Sequence, residues 1–239
     1  MTGWREHARL YGIVDLGYVE PREVEAVAGQ LVAGGAGMVQ LRAKGYGPEE
    51  IRDWARRVQA ICAAAGVPFV VNDFPQIARD VGADGVHVGQ DDGSLEEARK
   101  VVGERAIIGR STHSVEQARA ALAEGFDYIG FGPLFPTPTK LGRPGIGLED
   151  IAVVEREVGG KIPVFCIGGI RRGNLAEVMV AGARRVVVVS DLLQAPDRAA
   201  ATREVLAFIE AFQDNGGLSH RADRVEDLPS SPKTGRLTP

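Results

Sequence analysis

The sequence predicts an α/β protein whose single domain is a closed TIM (β/α)8 barrel. Short runs rich in β-branched residues alternate with longer segments of helical period, and this alternation repeats eight times. Eight units of nearly equal length fit a closed parallel barrel better than a doubly wound open sheet. Apolar residues become scarce near the C-terminus, and such a composition does not favour folding. We therefore expect residues 1–213 to form the barrel and residues 214–239 to form a disordered tail.

The predicted strands follow one another with a helix between each pair. They span residues 9–15, 37–42, 68–73, 85–88, 106–110, 127–131, 163–167 and 185–189. One predicted helix, at 48–64, begins at a proline, and another, Val115–Glu124, has Ser114 as its expected N-cap. Glycines precede predicted strands at Gly34-Gly35-Ala36-Gly37, Ala65-Gly66 and Ala181-Gly182, and glycine at such a point is typical of a helix that ends in the left-handed conformation.

Composition and charge exclude several classes of function. The net charge of −4 argues against a protein whose main partner is nucleic acid, because nonspecific binding of that polymer needs a basic surface. No run approaches the roughly 20 apolar residues that span a bilayer, so we expect a cytoplasmic protein without a membrane partner. Cys62 and Cys166 fall inside apolar elements, which predicts buried, reduced thiols.

A polar ladder lies on the second predicted strand. Gln40 and Arg42 are two residues apart, so they share one face of the strand, and Lys44 follows in the loop. That face points to the barrel axis if Val39 and Leu41 pack on helices. A solvated strand edge is the alternative, but an interior barrel strand has no such edge. The pattern therefore favours a binding or catalytic role.

Acidic residues end the third predicted strand and follow the fourth. Asp73, preceded by Asn72, closes strand 3, and Asp92 comes just after strand 4. Capping of the following helix is the usual role of a lone Asp. Two carboxylates at adjacent strand ends instead favour a Mg²⁺ site, since Mg²⁺ takes one or two carboxylates together with water and phosphate oxygens. His87, within strand 4, is predicted to be a hydrogen-bonded core histidine.

The loop after strand 6 combines prolines with hydroxyls and a cation. Prolines restrict the backbone, so Thr137, Thr139 and Lys140 can be presented to an anion at little entropic cost. A merely rigid connection would explain the prolines but not the Thr-x-Thr-Lys sequence. We therefore predict an anion-binding clamp in this loop.

A second anion site is predicted between strands 7 and 8, a frequent phosphate position in barrels. Strand 7 ends at Ile167-Gly168-Gly169, and strand 8 ends at Val189-Ser190 before a short predicted helix. Backbone N–H groups at the glycines and at the helix start can bind a monophosphate. A plain turn is the alternative explanation for the two glycines.

Two further polar residues follow strand 5. The hydroxyl of Ser111 can bind substrate, but no Ser-His-Asp arrangement can be inferred from the spacing, so we predict no serine nucleophile. His113 is a candidate acid or base.

The chain resembles the thiamine-phosphate synthase family from about residue 10 to residue 195. The motifs that carry this resemblance occur in the family's order: Gln40-x-Arg42-x-Lys44, Asn72-Asp73, His87-x-Gly89-Gln90-x-Asp92, Ser111, Gly132-Pro133, Thr137-x-Thr139-Lys140, Gly168-Gly169-Ile170 and Ser190. The resemblance implies a transferase that joins 4-amino-2-methyl-5-hydroxymethylpyrimidine diphosphate to 4-methyl-5-(2-phosphoethyl)thiazole, or to its carboxylated form. The products are thiamine phosphate and diphosphate.

The resemblance also implies roles for individual residues. The implied catalytic residues are Arg42, Lys44, Ser111 and Lys140. Gln40 and Asn72 are implied to contact the pyrimidine or the diphosphate, and Thr137 and Thr139 the thiazole phosphate or carboxylate. Our hypothesis is that Mg²⁺, held by Asp73 and Asp92, and the cationic side chains stabilise departing diphosphate. The thiazole nitrogen then captures a pyrimidine-methyl cation.

Two other functions compete with this prediction. A related branch of the fold isomerises the carboxylated thiazole phosphate with a histidine near the position of His113, and a noncatalytic phosphate sensor is possible on any barrel scaffold. Neither function needs both an acidic pair and a Lys140 clamp, so the synthase is favoured. The chain departs from the family's usual pattern at Phe74, Arg110 and Arg184-Arg185.

Overall fold

The computed structural model describes residues 3–136 and 145–216, and its strands form one closed barrel. The strands are β1 (Leu10–Asp15), β2 (Met38–Arg42), β3 (Phe69–Asn72), β4 (Gly85–Val88), β5 (Ile107–Thr112), β6 (Tyr128–Phe131), β7 (Val164–Ile167) and β8 (Val186–Val187). Each strand runs parallel to the next, and β8 pairs with β1 to close the ring. The predicted eight-stranded parallel barrel is therefore confirmed.

Helices lie between the strands along the described chain. They are α1 (Trp4–His7), α2 (Val24–Ala33), α3 (Pro48–Ala65), α4 (Pro75–Val81), α5 (Leu95–Val102), α6 (Val115–Glu124), α7 (Ile151–Val154), α8 (Leu175–Val180), α9 (Ser190–Leu193) and α10 (Arg198–Asp214). A π-helical turn, Glu155–Gly159, extends α7, and 3-10 turns at Pro21–Glu23 and Arg172–Asn174 precede α2 and α8.

The helix ends agree with the capping signals read from the sequence. The Ser114 hydroxyl accepts a hydrogen bond from the backbone N–H of Gln117, which confirms the predicted N-cap of α6. Gly66 ends α3 in the left-handed conformation, as predicted. In the segment Gly34-Gly35-Ala36-Gly37, Gly34 stays helical and Gly35, with φ of 92°, makes the left-handed turn toward β2, as predicted for this segment. Gly182, with φ of 112°, does the same after α8.

Two strands, β5 and β8, end two residues away from the predicted position. β5 continues to Thr112, so Ser111 lies within the strand rather than after it. β8 contains only Val186–Val187, because Val189 leaves the extended conformation, with φ of −106° and ψ of −82°, where α9 begins. Both differences place predicted site residues in or beside the wall of the barrel.

Apolar side chains pack in two layers, one outside the barrel and one inside it. Val39 and Leu41 are fully buried in the outer layer, between strands and helices. Neighbouring residues of a strand point to opposite faces, so Gln40 and Arg42 turn inward, as predicted. The apolar and aromatic residues of the inner cluster are Ala8, Tyr11, Ile13, Met38, Val70, Ile107, Tyr128, Phe165 and Val187.

The remaining sequence-based expectations concern the tail, the cysteines and membranes. α10 continues to Asp214, one residue past the predicted end of the barrel, and residues 217–239 of the predicted tail lie outside the described residues. Cys62 and Cys166 are free and buried, and burial raises the pKa of both thiols. In the described chain, no helix has the length and apolar character needed to cross a bilayer.

Candidate active site

A cavity opens where the strands end, and most of the predicted site residues line it. These residues are Gln40, Arg42, Lys44, Asn72, Asp73, Ser111, Ile167, Gly168, Gly169, Val189 and Ser190. Asp92 lies beside Asp73 at the rim of this site. Thr137, Thr139 and Lys140 belong to the predicted anion clamp and lie outside the described residues. The barrel thus collects side chains from separate strands into one place.

Arg42 is held by a carboxylate that the sequence-based prediction missed. Its Nη1 donates to both carboxylate oxygens of Asp15, at 3.0 and 2.9 Å, and the Asp15 side chain is only 2% exposed. Asp15 also accepts a hydrogen bond from the backbone N–H of Gly17. Within the described residues, Nε and Nη2 of Arg42 form no hydrogen bond, so they are available to an anion in the cavity.

Asp73 lies between a cation and a second carboxylate. The Nζ atom of Lys44 is 3.0 Å from Asp73 Oδ2. Burial raises the pKa of the Asp73 carboxyl, Lys44 lowers this pKa, and the nearby Asp92 carboxylate raises it again. Asp73 adopts a left-handed conformation with φ of 64°, and its side chain does not cap α4. The helix-cap alternative is therefore wrong for this residue.

The acidic pair suits a cation that needs few protein ligands. Asp92 accepts a hydrogen bond from the backbone N–H of Gly89 at 2.7 Å through Oδ2. In the described ranges, no group of three or more His, Cys, Asp or Glu side chains forms a metal cluster. Mg²⁺ usually takes one or two carboxylates and completes its shell with water and substrate phosphates. Asp73 and Asp92 fit that donor set.

Five side chains form a continuous chain of hydrogen bonds where the cavity meets the barrel interior, and we call this chain the polar relay. Its members, in order, are Gln40, Tyr11, Tyr128, His87 and Ser111. The successive donor–acceptor distances are 2.7, 2.9, 3.0 and 3.0 Å. The relay joins five strands, and it confirms His87 as a buried, hydrogen-bonded histidine.

A glycine in β5 makes room for the relay. A Cβ atom at Gly109 would lie 2.0 Å from Cζ of Tyr128, so no other residue fits under that ring. The Tyr128 ring also packs edge-on against Tyr11 and Phe165. At the far end of the relay, Gln90 Nε2 donates to the backbone oxygen of Ser111 at 2.5 Å. Packing and hydrogen bonds together hold the relay in one arrangement.

The opposite side of the cavity is built from backbone rather than from charged side chains. Gly168 and Gly169 have φ of 100° and 66° and line the cavity. A Cβ atom at Gly168 would lie 2.4 Å from Pro133, and the backbone N–H of Phe135 donates to Gly168 at 3.1 Å. The glycines therefore allow the loop after β6 to pack tightly against the end of β7. Ser190 begins the four-residue α9 beside them.

Two other candidates take part in local hydrogen bonds. His113 lines the cavity, its Nδ1 contacts the backbone oxygen of Gly132, and its backbone N–H donates to the side chain of Gln117. Arg110 donates to backbone oxygens of Gly93 and Gln90. Arg110 is thus engaged with the loop after β4.

The prediction from sequence missed Asp15, Tyr11 and Tyr128. The rule that selected Asp73, a polar residue at a strand end, would also have selected Asp15, which pairs in register with Arg42. The contact between Tyr11 and Tyr128 joins residues 117 positions apart. No local pattern signals such a contact.

Comparisons with known proteins agree on one family. A family model described as thiamine monophosphate synthase matches residues 10–192. A thiamine-phosphate synthase from Thermus thermophilus is 48% identical over 172 residues, which cover 72% of this chain and 82% of the relative. A thiamine-phosphate synthase from Shouchella clausii is 41% identical over 203 residues, which cover 84% of this chain and 96% of that relative. The solved structure of a thiamine phosphate pyrophosphorylase from Pyrococcus furiosus superposes with a TM-score of 0.76 at 33% identity, covering 87% and 98% of the two chains.

Proposed function

Because the chain belongs to the thiamine monophosphate synthase family, we propose that it makes thiamine phosphate. Its substrates are 4-amino-2-methyl-5-hydroxymethylpyrimidine diphosphate and 4-methyl-5-(2-phosphoethyl)thiazole or the carboxylated form of that thiazole. The observation that carries this proposal is the cavity, which has cationic side chains on one side and glycine backbone on the other. Two anionic substrates need two anion-binding regions, and the two sides of the cavity can supply one each.

The diphosphate binds on the charged side. Arg42 offers Nε and Nη2 while Asp15 holds Nη1, so the guanidinium is oriented before substrate arrives. Lys44 supplies a second positive charge beside Asp73. Asp73 and Asp92 would hold Mg²⁺, which when bound supplies further positive charge to the diphosphate leaving group.

The other substrate groups bind deeper in the cavity and across it. Gln40, Asn72 and Ser111 bind the pyrimidine ring. The thiazole phosphate binds at Gly168, Gly169 and Ser190, with Ile167 and Val189 forming the adjoining wall. Thr137, Thr139 and Lys140 complete the anion clamp in this proposal.

The reaction needs no covalent bond to the protein. The bond between the pyrimidine methylene carbon and the diphosphate oxygen breaks, and its electron pair leaves with diphosphate. Arg42 and Lys44 stabilise the charge that develops on this leaving group. The thiazole nitrogen donates its lone pair to the pyrimidine-methyl cation and forms the new carbon–nitrogen bond. With the carboxylated thiazole, the bond to the carboxylate also breaks, carbon dioxide leaves, and the ring carbon keeps the electron pair and takes up a proton from water. The barrel holds the two substrates in contact, which lowers the entropic part of the barrier.

An assay of the purified protein with both substrates tests the proposal. We expect thiamine phosphate and diphosphate to form in equal amounts, and only when Mg²⁺ is present. Formation of product at the same rate after chelation would overturn the Mg²⁺ part. Tight binding of the thiazole phosphate without any product would overturn the synthase and favour isomerisation or sensing.

A further inference from the structure

The polar relay has four contacts, and each contact needs one proton. Tyr11 is 2% exposed and Tyr128 is fully buried, so a phenol proton without an acceptor would be costly at either position. Burial raises the pKa of both phenols, so each keeps its proton at neutral pH. Counting protons along the relay therefore determines which group donates at each step.

The first contact sets the direction. Gln40 turns its amide nitrogen toward the Tyr11 hydroxyl, and an amide nitrogen can only donate. The Tyr11 oxygen therefore accepts, and its own proton needs another acceptor. Among hydrogen bonds within the described chain, the only other partner of this hydroxyl is Tyr128. Tyr11 consequently donates to Tyr128.

The same reasoning determines the next two contacts. Tyr128 accepts from Tyr11, so its own proton goes to Nδ1 of His87. If Nδ1 of His87 carried a proton, it could not accept one from Tyr128, and the Tyr128 hydroxyl proton would have no acceptor in the relay. A neutral imidazole that accepts at Nδ1 carries its proton on Nε2, and this nitrogen donates to Ser111 Oγ. The Ser111 proton then remains for a group inside the cavity.

We infer that the polar relay fixes the Ser111 hydroxyl as a hydrogen-bond donor to the substrate, with Tyr128 as the positioning residue that sets the His87 tautomer. The inference rests on the proposed function for the identity of the substrate, since the ring nitrogens of an aminopyrimidine are hydrogen-bond acceptors. A site committed to donating rejects a ring that carries N–H at the same place. The relay would thus contribute to the choice of the pyrimidine.

The His87 tautomer can be measured in the protein without substrate. Two-bond ¹H–¹⁵N NMR of protein labelled with ¹⁵N-histidine distinguishes the two neutral tautomers, at about pH 8 where an ordinary imidazole is neutral. A His87→Gln variant identifies the His87 signals among those of the four histidines. We expect the Nε2–H tautomer. If the Gln40 amide were turned the other way, the direction of every hydrogen bond in the relay would reverse and His87 would carry its proton on Nδ1. Observation of the Nδ1–H tautomer, or of a doubly protonated ring, would therefore overturn the inference.

Two matched variants test the role of Tyr128. Tyr128→Phe removes the donor to His87, so we expect a mixture of both tautomers. Tyr11→Phe also removes one buried hydroxyl, but Tyr128 can still donate to His87, so the Nε2–H tautomer should persist. Equal effects of the two substitutions on the His87 tautomer would contradict a directed relay.

Steady-state kinetics supply a second readout. For Tyr128→Phe we expect the KM for the pyrimidine diphosphate to rise about tenfold, as for the loss of one well-placed hydrogen bond, and the KM for the thiazole phosphate to stay unchanged. An equal change in both KM values would indicate a general structural defect and overturn the inference. If the unmodified protein made no thiamine phosphate, the proposed function would fail, whereas the His87 tautomer would still report on the relay.

Discussion

The two sides of the cavity are built in physically different ways. The charged half comprises Asp15, Arg42, Lys44, Asp73 and Asp92, whose side chains are arranged by ion pairs and hydrogen bonds. The glycine half comprises Gly168, Gly169, Val189 and Ser190, where the backbone conformation and close packing shape the wall. The first half depends on which side chains are present, and the second depends on the absence of side chains at Gly168 and Gly169.

This difference matches the chemistry proposed for each half. A diphosphate that leaves during the reaction gains negative charge, so oriented cationic side chains and a bound metal ion would stabilise it most where the bond breaks. A phosphate that only anchors its substrate needs no change in stabilisation during the reaction. Substitutions in the charged half should therefore lower kcat/KM strongly, whereas those in the glycine half should mainly weaken the binding of one substrate.

Asp92→Ala should have the largest effect. Loss of a proposed Mg²⁺ ligand should lower kcat/KM by at least about a thousandfold. The residue is exposed, so the midpoint of thermal unfolding should stay close to that of the unmodified protein. Kinetics over a range of Mg²⁺ concentrations and a thermal melt provide the measurement. Asp91→Ala, the same change at the exposed neighbour, is the control, and equal activity of the two variants would contradict the metal role.

Arg42→Lys should have the next largest effect. Lysine keeps the charge but cannot contact Asp15 and a phosphate at once through a planar fork. We expect kcat/KM for the pyrimidine diphosphate to fall about ten- to a hundredfold, since the guanidinium is proposed to stabilise the leaving group. Arg52→Lys is the matched control, because Arg52 pairs with Glu49 and Asp80 on the outer surface. An unchanged kcat/KM in Arg42→Lys would show that the guanidinium does not contact the diphosphate.

The charged half was largely predictable from the sequence. Strand ends are signalled by short apolar runs, and the two-residue spacing of Gln40 and Arg42 places both on one face. These local patterns predicted the barrel, the orientation of β2 and the neighbouring ends of β3 and β4. The family resemblance, which rested on the order of these motifs, is also confirmed. Local periodicity was sufficient because the barrel repeats one βα unit.

The relay and the fine structure of the glycine half were not predictable in the same way. Tyr11 meets Tyr128 only after the barrel closes, and the space for that ring comes from Gly109 on another strand. Gly168 could equally have served a plain turn, and only the approach of Pro133 shows why a side chain is excluded. Such contacts depend on tertiary packing, which no short segment encodes.

Gly168→Ala should affect one substrate more than the other. The new Cβ atom would meet Pro133, and φ of 100° is unfavourable for alanine. We expect the KM for the thiazole phosphate to rise about tenfold and the free energy of unfolding to fall by about 1–3 kcal/mol. The KM for the pyrimidine diphosphate should change little, which two-substrate kinetics can measure.

Gly66→Ala is the matched control for this glycine. Gly66 also has a positive φ, 68°, but no atom lies near the position of its added Cβ. The backbone strain alone should lower the free energy of unfolding by about 1 kcal/mol without changing either KM. If Gly168→Ala affected only stability, as Gly66→Ala should, the glycine half would have no part in phosphate binding.

Glu155→Gln should have the smallest effect on activity, because this buried carboxyl lies beyond the cavity, between α7 and the start of β8. Burial raises the pKa of Glu155 from 4.5 to about 7, only partly offset by Arg184 and Arg185. The folded state therefore binds more protons than the unfolded state between these pH values, and stability falls as pH rises through that interval. Glutamine does not titrate, so the variant should not lose stability in this interval. Above pH 7 its free energy of unfolding should exceed that of the unmodified protein by up to about 3 kcal/mol.

Chemical denaturation at several pH values, together with kinetics, tests this last contrast between carboxylates. Glu157→Gln is the control, because Glu157 lies in the same π-helical turn but is paired with Arg119 at the surface, a contact that lowers its pKa. Parallel pH curves for the two variants would contradict the role of burial at Glu155. Unchanged kcat and KM for both substrates in Glu155→Gln would agree with the position of this carboxyl outside the cavity that Asp73 lines.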